Sequence, residues 1–148
     1  MSDISATPDD DRPYEVRSAG HKGLGAFASR DIEPGEVVIV EYTPIILDET
    51  EDKSKDCFAM ARLYETLEEG VKKGWRSLHA STSPYATFEY RQIFSSPQPD
   101  GSVLSEEKQE LYTMLRLQCD ANRFGTGTNQ DALFIEVSRF NHSVSPFL

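Results

Sequence analysis

Cysteine is scarce in this chain: 148 residues hold two, Cys57 and Cys119. They lie far apart and show no metal-ligand spacing, so no zinc cluster is expected and no metal is assigned. The start, Met1-Ser2-Asp3-Ile4-Ser5-Ala6-Thr7-Pro8, lacks the basic opening and apolar centre of a secretory signal. The expectation is therefore free thiols in an intracellular protein of the nucleus or cytoplasm. No run of about 18 apolar residues occurs, so no membrane-spanning helix is expected. Basic residues are also in deficit, 15 Lys and Arg against 25 Asp and Glu, for a net charge of -10. Without a basic stripe, direct binding to a nucleic-acid backbone is disfavoured. Histidine is rare too, and His21 and His79 have no partner at motif spacing, which points to packing or surface roles.

What is present is enough for one folded domain. Only 38% of residues are hydrophobic and the mean hydropathy is -0.50. Yet eight Phe, six Tyr and one Trp are too many aromatics for a wholly disordered chain. The charge is uneven: residues 1–56 carry 14 acids and 6 bases, residues 57–148 carry 11 and 9. Asp9-Asp10-Asp11 and Asp48-Glu49-Thr50-Glu51-Asp52 account for much of the excess. Solubility is the first reading of this charge, and attraction to a basic protein partner the second.

Residues 1–12 are polar, acidic and proline-containing, and read as a disordered leader. Tyr14-Glu15-Val16-Arg17-Ser18 alternates like a short strand, and Ala26-Phe27-Ala28 like a second. Pro34-Gly35 predicts a type II turn, with proline presetting one φ and glycine accepting a positive one. Val37-Val38-Ile39-Val40-Glu41-Tyr42 carries the strongest strand signal of the chain. Ile45-Ile46-Leu47 continues it after Pro44. From Lys53 the period changes: Met60, Leu63, Tyr64, Leu67 and Val71 predict one amphipathic helix over 55–73, with Gly74 as its stop. Ser81 to Pro84 and Ser95 to Gly101 read as loops. A second helix opens at Ser105, which can cap it, with Glu106 and Glu107 at the positive end of its dipole. Asn122 to Gln130 reads as a loop and Leu133 to Val137 as a last strand. Strands, a helical middle and further strands argue for an α+β or mainly β fold with a helical insert.

Two stretches at opposite ends carry the chemical interest. Gly20-His21-Lys22-Gly23-Leu24-Gly25 is neither a Walker loop nor a dinucleotide fingerprint, because the required lysine-hydroxyl pair and third glycine are missing. A glycine-rich hairpin without function is one reading. The other is a backbone surface laid against a flat, polar ligand. At the far end, Ser138-Arg139-Phe140-Asn141-His142-Ser143 follows an apolar run; an Asn-His-Ser turn is by itself ordinary.

Taken together, the two stretches resemble the SET domain family. Gly23-Leu24-Gly25-Ala26-Phe27-Ala28-Ser29-Arg30-Asp31-Ile32-Glu33-Pro34-Gly35-Glu36-Val37 is similar to its opening. Glu41 with Pro44 resembles the acidic residue and proline that close that segment. Arg139-Phe140-Asn141-His142-Ser143 resembles the family's Asn-His-Ser signature, and Asn122-Arg123-Phe124 the Asn-x-Phe that precedes it where a long insert splits the domain. The matches bracket residues 14–47 and 119–143. The resemblance implies a β-clip-like SET fold of short strands, divided as 13–47, a helical insert at 48–118, and 119–148 as the start of the C-terminal portion.

It also implies a lysine methyltransferase that uses S-adenosylmethionine. By position, the backbone around Lys22, Gly23, Leu24 and Gly25 is expected to cradle the cofactor. The Asn141 side chain and the His142 backbone are expected to hold its amino-acid and adenine parts, with Asn122 in the same pocket. The substrate implied is a lysine on a histone tail or other basic protein. Val144 stands where the family has cysteine, and its catalytic tyrosine lies after the Asn-His-Ser run. The expectation is thus a SET domain cut short after that run and inactive as it stands, from an unspliced or truncated gene model or a real short form. The alternative is a non-catalytic SET-like module that binds a basic protein.

Overall fold

The computed structural model describes residues 12–140 except Thr43, and the backbone but not the side chain of Lys22. The expected leader at residues 1–11 and the Asn141 to Leu148 stretch lie outside these. Among the described residues the fold is α+β, with five short strands and four α-helices. Strands β1 (Tyr14–Ser18) and β2 (Leu24–Ala28) form an antiparallel hairpin with Tyr14 opposite Ala28. A second sheet has the order β3-β5-β4, where β3 is Ile45–Asp48, β4 Phe124–Gly125 and β5 Gln130–Leu133. Both of its ladders are antiparallel, with Ile45 opposite Leu133 and Phe124 opposite Ala132. The helices α1 (Lys53–Glu65), α2 (Glu69–Arg76), α3 (Pro84–Ser95) and α4 (Glu106–Asn122) fall between β3 and β4.

The helical layer forms around side chains withdrawn from water. Cys57, Trp75, Phe94, Leu115, Cys119 and Leu133 are fully buried. Phe94 lies edge-on to Phe58 and tilted to Tyr112, which joins α3 to α1 and α4. Each large apolar side chain so buried contributes roughly 1.5–3 kcal/mol. Polar ties hold the same helices: Glu65 on α1 accepts from the Tyr112 hydroxyl at 2.7 Å and the Lys108 amine at 2.8 Å, both on α4. The Trp75 indole N–H donates to the Leu115 carbonyl at 3.2 Å.

Several local expectations hold. Ser105 caps α4 by accepting from the Lys108 N–H at 3.2 Å. Gly35 has φ 84°, and the Glu36 N–H returns to the Glu33 carbonyl at 3.0 Å, closing the turn. Met60 and Tyr64 are core residues of α1.

Others are corrected. The single helix over 55–73 is two: Thr66 ends α1, its hydroxyl donating to the Leu63 carbonyl at 2.6 Å, and α2 begins at Glu69. Gly74 lies within α2 instead of stopping it. Its missing Cβ makes room for Ile135, whose Cγ2 sits 2.8 Å from where a Cβ would be. Pro84 is not a loop residue but the first position of α3, capped by Ser83, where its missing N–H costs nothing. Val37–Tyr42, the strongest strand signal, joins no ladder among the described residues, and Val37, Val40 and Tyr42 are exposed. Strand propensity is realised only against a neighbouring edge and a packed face. The last strand begins earlier and ends at Leu133; the chain then turns, and Val137–Arg139 is a short 3-10 turn. The acidic stretch at 48–52 also has structural roles, beginning with Asp48 at the end of β3. Asp52 caps α1 by accepting from the Lys55 N–H at 3.0 Å, and Glu49 is engaged by two arginines.

Candidate functional site

A cavity of about 430 Å³ lies where the two ends of the described chain meet. One rim is His21 and Leu24, at the entry to β2; the opposite rim is Val137 to Phe140. The third side comes from the helical segment, as Ser77, Leu78 and His79 after α2 and Ala121 to Phe124 at the end of α4.

The first rim owes its shape to glycine. Gly20 to Lys22 form a 3-10 turn, closed by the Gly23 N–H donating to the Gly20 carbonyl at 3.1 Å. Gly20 and Gly23 have φ of 66° and 78°. At Gly23 an added Cβ meets nothing within 4 Å, so the backbone conformation and not lack of space requires glycine there. Leu24 turns into the cavity, whereas Gly25 is already in β2 opposite Arg17.

The second rim is tied down from three directions. The Phe140 ring meets Tyr14 edge-on at 5.0 Å between centroids, bringing the last described residue onto β1. One Glu41 carboxylate oxygen accepts the N–H groups of Glu136 and Val137, each at 3.0 Å, where the 3-10 turn begins. Arg139, mostly buried, donates to the Ser77 hydroxyl at 2.6 Å and the Gly74 carbonyl at 3.3 Å. Residues far apart in sequence therefore frame one opening.

Asn122 ends α4 inside the cavity wall. Its amide nitrogen donates to the His79 carbonyl at 2.7 Å and to the Gln118 carbonyl at 2.8 Å. Both donor hydrogens are used, so the amide oxygen is the part left for a ligand. Next to it, Arg123 is held by Glu49 at 2.6 Å and Asp131 at 3.4 Å. Glu49 also meets Arg116 at 3.1 Å, whose side chain is 2% exposed and whose guanidinium lies 5.7 Å from the Tyr90 ring centre. Tyr90 in turn donates to Asp120. Burial pushes the Tyr90 hydroxyl above its ordinary range, with the Asp120 hydrogen bond adding to the shift, so it stays protonated as a donor.

Of the residues singled out in sequence, Leu24 and Asn122 line this cavity. Among the described residues, Gly23 and Gly25 are not in its lining. Asn141 and His142 lie outside the described residues; Phe140, immediately before them, is on the rim. The structure adds Ser77, Leu78, His79 and Arg123. His21 and His79 are exposed, as surface residues should be, yet both border the cavity. Nothing in the sequence marks Ser77 to His79, because only the fold of the helical segment carries them there.

A model of the SET domain family matches residues 23–148, which is most of the chain and includes the rim at Val137 to Phe140 and Leu24 of the other. The chain belongs to the SET domain family. No curated protein and no solved structure matches it. In this SET domain the helices stand between the two parts that build the rims. Among the described residues no helix is long and apolar enough to cross a membrane, and no group of three His, Cys, Asp or Glu is placed to hold a metal ion.

Proposed function

We propose that this SET domain binds S-adenosylmethionine in the cavity between Leu24, Asn122 and Phe140, as the cofactor side of a protein-lysine N-methyltransferase site. The observation that carries the reading is that the glycine turn, the Asn-x-Phe stretch and the approach to Asn141 share one opening. The fit is chemical as well as spatial. About 430 Å³ lies within the range of roughly 300–1,000 Å³ usual for small-molecule sites. The Asn122 amide oxygen suits an ammonium group, and Leu24, Leu78 and Phe124 offer apolar surface for a flat base. Asn141 and His142, which follow Phe140 directly, take the roles that the family resemblance gives them. The cofactor supplies a methyl group on a sulfonium centre for a neutral lysine amine. A net charge of -10 favours approach of a lysine-bearing basic protein.

Calorimetric titration with S-adenosylmethionine tests the reading on the whole chain after a cooperative melt has been recorded. Saturable binding, weakened about tenfold or more by Asn122→Ala or Asn141→Ala, supports it, a factor worth about 1.4 kcal/mol. A folded protein indifferent to the cofactor overturns it. That result would favour a non-catalytic SET module, for which the exposed Val37, Val40 and Tyr42 provide a surface a protein partner could cover.

A further inference from the structure

The wall formed by Ser77, Leu78 and His79 belongs to the helical segment, and its support is unusual. A helix end leaves carbonyl groups without intrahelical partners. Here the carbonyls of Arg76 and Leu78 both accept from the Gln118 amide nitrogen, at 2.7 and 3.0 Å. The His79 carbonyl accepts from Asn122 at 2.7 Å. Gln118 and Asn122 are four residues apart and so lie on one face of α4. Gln118 is 2% exposed and does not itself reach the cavity lining. From the other side, the Ser77 hydroxyl accepts from Arg139 of the opposite rim.

We infer that Gln118 is a positioning residue for the ligand cavity. It holds the Arg76 and Leu78 carbonyls, which fixes the 77–79 turn as a cavity wall and makes that wall a determinant of ligand affinity. The inference rests on the cofactor-binding reading for its functional half. The positional half stands on the geometry alone. Without the amide, the Arg76 and Leu78 carbonyls lose this donor, and the position of the turn is left to its bonds with Asn122 and Arg139. The helical segment then has a defined role in the site: α4 sets where α2 delivers its last residues.

The test uses the full chain and Gln118→Met, which keeps the length and apolar bulk but cannot donate. Hydrogen exchange over 77–81 and the S-adenosylmethionine dissociation constant are read together with the melting temperature. Phe94→Leu serves as the control, since Phe94 packs against Phe58 and Tyr112 and is not in the cavity lining. Exchange at Ser77, Leu78 and Ser81 is expected to quicken about tenfold in Gln118→Met, with the dissociation constant rising by a similar factor, as loss of a buried donor implies. Phe94→Leu is expected to lower the melting temperature at least as far and leave both readouts within about twofold, as distant sites do. Gln118→His keeps one ring N–H donor, should fall between the two, and replaces Gln118→Met if that variant does not fold. Unchanged exchange at 77–81 in a Gln118 variant overturns the positioning role. An equal loss of affinity in Phe94→Leu reduces it to general stability. If the wild-type chain binds no cofactor, the proposed function fails, while the exchange measurement still decides whether Gln118 holds the turn.

Discussion

The Glu41 carboxylate accepts the Val137 N–H at 3.0 Å, with the Glu136 N–H on the same oxygen at the same distance. Two peptide donors at the start of the 3-10 turn are thus satisfied by a side chain almost a hundred residues earlier. The bond fixes the rim that leads to Asn141. It also explains why the apolar run after Leu133 turns instead of extending. Glu41→Ala removes the acceptor from both donors and is expected to cost about 1–3 kcal/mol in urea unfolding. Glu41→Gln keeps an acceptor oxygen and should lose less. Equal midpoints for Glu41→Ala and wild type would show that water replaces the carboxylate without loss.

Glu49 carries a second prediction. It pairs with Arg116, whose side chain is buried, and with Arg123 on the cavity rim. Removing one member of a buried pair leaves a charge short of its partner and costs about 3–5 kcal/mol. Partial exposure of Glu49 and the nearby Asp120 place Glu49→Ala below that range, at about 2–3 kcal/mol, by the same reasoning. Glu110→Ala breaks the exposed pair with Arg91 and should cost less than about 1 kcal/mol. Urea melts of the two variants side by side check the ordering; comparable losses would contradict it.

Gly74 gives a prediction in which two effects oppose. Alanine in a helix interior is favoured over glycine by about 1 kcal/mol. At this position its Cβ meets Ile135 Cγ2 at 2.8 Å, and overpacking of that kind costs about 1–3 kcal/mol. Gly74→Ala is expected to destabilise. In an Ile135→Ala background, which lacks Cγ2, the same change should become neutral or stabilising. A double-mutant cycle measures the difference, and strict additivity would remove the steric explanation.

The two thiols make stability depend on pH. Burial pushes Cys57 up to about 11 and Cys119 up to about 12. In the unfolded chain both ionise near 8.5. The folded state therefore holds the proton more tightly, so its contribution is complete below about pH 8.5 and is lost as pH rises toward the folded values. Each thiol adds a downward slope of up to about 1.4 kcal/mol per pH unit in that window. Urea melts from pH 7.5 to 9.5 should show the slope, reduced in Cys57→Ala/Cys119→Ala. An aromatic disulfide reagent at pH 8 should label neither thiol before unfolding; rapid labelling of the native protein would contradict their burial.

Local signals were sufficient where neighbours in sequence settle the structure. Ser105 with two following glutamates marks the start of α4, and Pro34-Gly35 marks a turn, because capping and positive φ involve only a few adjacent residues. The strand Tyr14–Ser18 and the core of its partner at Ala26-Phe27-Ala28 were legible for the same reason, although the partner strand begins two residues earlier, at Leu24. Ser83-Pro84 carried a helix start just as local, hidden among serines that also suit a loop. The break at Thr66 was less legible, since Leu63, Leu67 and Val71 keep a helical period across it.

The family, the α+β character and the two end signatures were readable before any fold was known, since these rest on residue types in a set order. Only the tertiary arrangement shows that Val37–Tyr42 joins no ladder among the described residues, that Gly74 serves Ile135 instead of ending a helix, and that Ser77 to His79 wall the cavity. Each of these depends on a partner far away in the chain: an edge that is or is not beside a strand, a side chain packed against a helix, the Gln118 and Asn122 amides that reach back from α4 to the turn after α2. Composition and period encode what a segment prefers; only packing decides which preference is satisfied.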